Sequence, residues 1–192
     1  NTRAAEFLRQ SLGRVGIDLW VTGEALAGGF RSCQTGISPH PATSSRTPFG
    51  ELFEQVVSSA FTCLERHSAY WLFRNGADAL PLAGPLPTST VEAPATDGSR
   101  LTEAFARDVQ NLRSVLESIL SEETLASLLR VAETQGSHLR YSDELWVSTV
   151  YEFLLAYQRG VMRREHIVQA LAPLYLGRTG SFLRQFSSAL EK

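Results

Sequence analysis

The sequence predicts a mainly α fold: a small helix–strand unit at the front and a helical bundle behind a proline-rich linker. Three observations carry this. Apolar residues recur three or four apart through nearly everything after Thr47. A Gly28-Gly29 pair stops an earlier helix, and the loosely alternating FRSCQT that follows suits a short strand. Asn75 to Ser99 holds Pro81, Pro85, Pro87 and Pro94 among small and turn-forming residues, which opposes regular structure there. The expected division is residues 1–74, a linker over 75–99 and a helical domain over 100–192.

Taken in order, Thr2 to Arg14 has helical spacing in Ala4, Phe7, Leu8 and Leu12, and Gly16 breaks it. Ile17 to Ala27 resumes the pattern through Trp20, Val21, Glu24 and Ala25. In the strand that follows, Phe30 and Cys33 are the core candidates; Gly36 to Arg46 is a loop. Thr47 is placed to cap the next helix, with Pro48 in its first turn, where a missing N–H costs nothing. Its stripe runs Phe49, Leu52, Phe53, Val56, Val57, Ala60, Leu64 and His67, closed by Tyr70, Trp71 and Phe73. Beyond the linker, Leu101, Phe105, Val109, Leu112, Leu116 and Ile119 form one stripe. Ser121 caps a helix reaching about Glu133, and Ser142 caps another that bends at Gly160. Glu165 to Leu171 is helical, Pro173 forces an end or a kink, and Leu174 to Leu190 is a further helix interrupted at Gly177 and Gly180.

Composition narrows function mainly by exclusion. With 192 residues, the chain can bury one sizeable core, or a small unit plus a helical domain. A net charge of -2 with no basic run offers no footprint for nucleic acid. Cys33 and Cys63 both sit in apolar patterns and are expected as buried small hydrophobes in a reducing compartment. With no signal peptide, lipidation motif or apolar run of transmembrane length, the expected location is cytoplasmic. The pairs Glu122-Glu123 and Asp143-Glu144 read as helix-start charges, and no Asp-x-Asp, phosphate loop, GxSxG or HExxH occurs.

Two residues remain open between structural and chemical roles. Asp18 lies in an apolar run just after Gly16, either as an ordinary first-turn acid or as a carboxylate aimed into a cleft. His40 sits between prolines in a loop, either solvated or a ligand. His67 reads as a core-edge histidine, His138 as a turn residue, and His166 as packing or capping.

The run Gly16-Ile17-Asp18-Leu19-Trp20, then Ala27-Gly28-Gly29-Phe30-Arg31, Cys33-Gln34, Gly36 and His40, resembles a stretch of bacterial GT-A glycosyltransferases. The nearest are family-2-like enzymes related to mannosylglycerate synthase and glucosyl-3-phosphoglycerate synthase. The helix PFGELFEQVVSSAF and the segment Tyr151 to Phe182 also resemble that family's helical C-terminal part. The resemblance implies a metal-dependent transfer of a hexose from a nucleotide sugar to a small or lipid-linked acceptor. It implies His40 as a ligand of Mg²⁺ or Mn²⁺, Asp18 as the base or orienting group, and Arg31 near phosphate.

The family's nucleotide-binding half has no counterpart before Thr2, and matching His40 requires a gap of about two residues. The first unit then reads as a helix–strand remnant of a GT-A α/β domain, and the chain as the C-terminal portion of a longer enzyme, inactive alone. Its missing N-terminal half would dock around Phe7, Leu8, Cys33 and the start of the Phe49 helix, a surface through which a homo-oligomer could also form. The rival expectation is a non-catalytic helical protein-interaction module. A weaker one places Arg163, Arg164, Arg178 and Arg184, beside aromatics, on a membrane surface.

Overall fold

The computed structural model describes residues 17–36, 48–73, 79–85, 98–134 and 139–190, without the side chains of 187–190. The described chain is mainly helical, and it divides into two compact units, Asn1–Glu92 and Ala93–Lys192. The expected Thr2–Arg14 helix lies outside the described residues. No helix among them is long and apolar enough to cross a membrane.

In the first unit, α1 (Ile17–Ala27) packs on α2 (Phe49–Arg66), which turns at His67 into the short α3 (Ser68–Trp71). Gly23 allows the α1–α2 approach: a Cβ there would lie 2.3 Å from the Cys63 sulfur. Phe53, Phe61 and Cys63 are buried on α2, and no α1 side chain is fully buried. Trp71 Nε1 donates to the Leu64 carbonyl at 2.7 Å, tying α3 back to α2. Pro48 occupies the N-cap position of α2, so the helix starts one residue later than expected, and Thr47 lies outside the described residues.

The expected strand is reduced to a single parallel bridge between Gln34 and Leu82. Gln34 N donates to Pro81 O at 3.0 Å, Ala83 N donates to Gln34 O at 2.8 Å, and the Gln34 side chain donates to Leu80 O at 2.9 Å. With so short a ladder there is no sheet face to cover side chains. Phe30 (72% exposed) and Cys33 are therefore both at the surface, correcting the core placement expected for them. The proline-rich linker contributes the other half of this bridge over 79–85.

The second unit holds α4 (Gly98–Asn111), α5 (Arg113–Ile119), α6 (Glu122–Glu133), α7 (Asp143–Arg159) and α8 (Arg164–Leu190). The stripe from Leu101 to Ile119 is thus two helices, parted at Leu112. Ser121 and Ser142 are N-caps as expected, accepting from Thr124 N at 3.3 Å and Leu145 N at 3.2 Å. Glu152 of α7 reinforces the first cap, accepting from Ser121 N at 2.6 Å, Ser121 Oγ at 2.9 Å and Thr124 Oγ1 at 2.7 Å. Gly160 ends α7 in the left-handed conformation, φ 63°.

Helix α8 is where expectation and structure part. It runs unbroken through Pro173, Gly177 and Gly180. The pairing of α4 with α8 is the most extensive in the unit, and the glycines make it possible. A Cβ at Gly177 would lie 2.3 Å from the Phe105 ring, and one at Gly180 would lie 2.9 Å from the Gly98 carbonyl oxygen. Close packing along this face outweighs the weak intrinsic helix preference of one proline and two glycines.

Phe105, Val109, Leu116, Leu128, Phe153 and Leu174 fill the core. Tyr141 is buried with them, 5.7 Å from the Phe105 ring. Its amide donates to Ser181 Oγ at 3.0 Å, and its hydroxyl donates to Thr149 Oγ1 at 3.0 Å. Arg178 donates to the Tyr141 carbonyl and to Asp143. Burial pushes the Tyr141 phenol well up, against the smaller pull of the Thr149 hydrogen bond and the Arg178 charge.

Candidate functional site

The stretch singled out by resemblance is one tied piece of structure from Ile17 to Gly36. Helix α1 ends in a two-bond cap. Gly29, at φ 72°, donates from its amide to Leu26 O at 3.2 Å, and Phe30 N donates to Ala25 O at 3.0 Å. The left-handed residue between those bonds is why a glycine is needed at position 29. The chain leaves the cap extended, and Gln34 fastens it to residues 80–83.

Asp18 stands exposed in the first turn of α1, and Arg31 is exposed just beyond the glycines. Neither makes a hydrogen bond or ion pair among the described residues, so the structure does not bring these two together. His40 lies outside the described residues.

A different set is brought together between α1 and α2. Glu24 Oε1 lies 3.1 Å from Arg66 Nε and 3.2 Å from His67 Nε2. Cys63, one helical turn before His67, donates from its thiol to Leu19 O at 3.8 Å. Burial pushes that thiol up, the Glu24 charge adds to the effect, and Arg66 opposes it. Glu24, Arg66 and His67 thus clamp α1 to the end of α2. The sequence showed Glu24 recurring at helical spacing with Trp20 and Val21, but the structure leaves Val21 exposed. His67 therefore closes α2 as a clamp partner at the helix end.

Among the described residues no group of three or more His, Cys, Asp or Glu side chains could hold a metal ion. His40, the ligand that the resemblance implies, lies outside those residues. No family model matches the chain, and neither a curated protein nor a solved structure matches it.

Proposed function

We propose that this chain serves in a glycosyl transfer, moving a hexose from a nucleotide sugar to a small or lipid-linked acceptor. The observation that carries the reading is the motif from Gly16 to Gly36, whose described part is a single tied segment with Asp18 and Arg31 both exposed and neither paired among the described residues. An exposed carboxylate is available to orient or deprotonate an acceptor hydroxyl. An uncommitted guanidinium is available to diphosphate oxygens. The Mg²⁺ or Mn²⁺ of that reaction would draw on ligands beyond the described residues, His40 among them.

The test is turnover of UDP-glucose and GDP-mannose by the full-length gene product, with Mn²⁺ and after its removal. Asp18→Asn and His40→Ala are each expected to lower metal-dependent turnover at least ~100-fold. Turnover unchanged in both variants removes the reading.

A second reading, a helical interaction module, is favoured by the apolar exposure in the first unit. Phe30, Phe49, Leu72, Phe73 and Leu82 are all substantially exposed, Phe73 to 85%. Of the docking surface expected from the sequence, Cys33 and Phe49 are exposed, while Phe7 and Leu8 lie outside the described residues. This reading expects Phe73→Ser to abolish association with a partner while leaving any turnover intact. Light scattering and the turnover assay together separate the two readings.

A further inference from the structure

Charge is unevenly placed along this chain. The formal net charge is -2, yet from Phe153 to Leu190 the sequence carries five arginines and one acid, Glu165. The structure sorts those arginines. Arg178 is committed within the second unit to the Tyr141 carbonyl and Asp143, its side chain only 17% exposed. Arg184 lies twenty residues beyond Arg164 on α8, about 30 Å along the axis. Arg159, Arg163 and Arg164 gather at one place, the turn between α7 and α8, and all three are exposed.

Two apolar residues sit between them. Val161 is 46% exposed and Met162 is half-buried. Backbone hydrogen bonds fix the turn on both sides. Gly160, at φ 63°, and Val161 both donate their amides to Ala156 O, and His166 N donates to Arg163 O at 3.0 Å. The Arg164 guanidinium rests over the buried Tyr157 ring, 4.5 Å from its centroid. Arg163 pairs with Glu165 at 3.7 Å, but both side chains stand mostly in solvent, so the pair is weak enough to exchange for another anion.

Neighbouring acids leave this charge in place. Asp108 and Glu117, on the α4–α5 segment packed with these helices, are paired with Arg107 and Arg113. Glu122 and Glu123 open α6 beside Glu152, which precedes Arg159 by about two helical turns. That is ~10 Å, the distance over which salt screens exposed charges.

Guanidiniums around a small exposed apolar tip match phosphates lying above a hydrocarbon layer. A polyanion in water would engage the arginines and leave Val161 and Met162 uncovered. A neutral apolar partner would cover the tip and leave the arginines unmatched. We propose that the α7–α8 turn docks on an anionic lipid bilayer, with Val161 and Met162 entering the interface and Arg159, Arg163 and Arg164 meeting lipid phosphates. The contact is with the surface, since no described helix is long and apolar enough to cross a membrane. It requires no glycosyl transfer and stands apart from the reading above.

The experiment is co-sedimentation of the full chain with vesicles of phosphatidylcholine, alone or with about a third phosphatidylserine. Binding about tenfold or more tighter to the anionic vesicles is expected. Arg159→Gln combined with Arg163→Gln should weaken it about tenfold or more, at roughly fivefold per charge. Val161→Asp should weaken it about as much, with unchanged circular dichroism. Should Val161→Asp fail to fold, Val161→Ser takes its place. Arg100→Gln removes the same kind of charge at the other end of the unit, where Gly98 meets Gly180, and should change binding less than about twofold. No binding, equal binding to both vesicles, or an Arg100→Gln loss as large as that of the arginine pair would each overturn the proposal. Wild-type binding by the arginine pair variant would do the same. So would wild-type binding by the Val161 variant, because it would mark a site for soluble polyanions.

Discussion

Gly177→Ala tests the reason given for the unbroken α8. In an exposed helix this substitution would stabilise by about 1 kcal/mol, because glycine is the poorer helix former. Here the new methyl would sit 2.3 Å from one Phe105 ring carbon, 2.4 Å from the next and 2.9 Å from its Cβ. Phe105 has no exposed surface and is flanked by Tyr141 at 5.7 Å between ring centroids, so the ring has no open side to move into. Overpacking of this kind costs about 1–3 kcal/mol. The helix-propensity gain of about 1 kcal/mol offsets part of that, leaving a net loss of up to about 2 kcal/mol.

For a unit of roughly 100 residues a loss of that size lowers Tm by up to about 10 °C. Differential scanning calorimetry of the whole chain reads it directly. Gly50→Ala on α2 is the internal control, because a Cβ there meets nothing within 4 Å; its Tm should hold or rise slightly. Phe105→Leu combined with Gly177→Ala should cost less than the two single losses summed, since the smaller side chain relieves the overlap. A Tm raised by Gly177→Ala would refute the close α4–α8 crossing.

Three further outcomes follow from geometry already described. Glu152→Ala removes three hydrogen bonds at the α6 start and should lower the urea stability by about 1–3 kcal/mol, with faster amide exchange at Ser121 and Thr124. Because the folded-state pKa of Tyr141 is raised, its contribution to stability is fully present below the ordinary phenol value and is lost as pH rises through and beyond it. Alkaline unfolding followed by phenolate absorbance should therefore be cooperative, and Tyr141→Phe should remove part of its pH dependence. Thiol labelling should show one fast site at exposed Cys33 and one at buried Cys63 that reacts only as the chain opens; two fast sites would contradict the burial of Cys63.

Most of the helices were legible in the sequence because their signals are local. Ser121 and Ser142 announce themselves as caps by residue type and by the acids that follow, and Gly28-Gly29 ends α1 through a backbone preference that needs no partner. The failures are the places where a distant segment decides. Pro173, Gly177 and Gly180 read locally as breaks, yet the helix they sit in is held by α4, whose matching Gly98 and Phe105 lie far away in sequence. Phe30 and Cys33 read as core because a strand was assumed to have a sheet, whereas a single bridge at Gln34 leaves them in solvent. For the candidate site, the helical spacing of Glu24 was visible in the sequence, but its partners Arg66 and His67 lie at the end of the next helix.

The α4–α8 crossing also bears on how the chain comes off the ribosome. Phe105 is made roughly seventy residues before the Gly177 surface against which it is buried. At ~5–20 residues per second, that ring waits about 4–14 s without its partner. Until the last helix emerges, α4 displays an uncovered apolar stripe of Phe105 and Val109, both fully buried in the finished unit. A chain stopped short of Gly177 would keep that stripe exposed, making the second unit intolerant of C-terminal truncation and nascent α4 a natural place for a chaperone to hold.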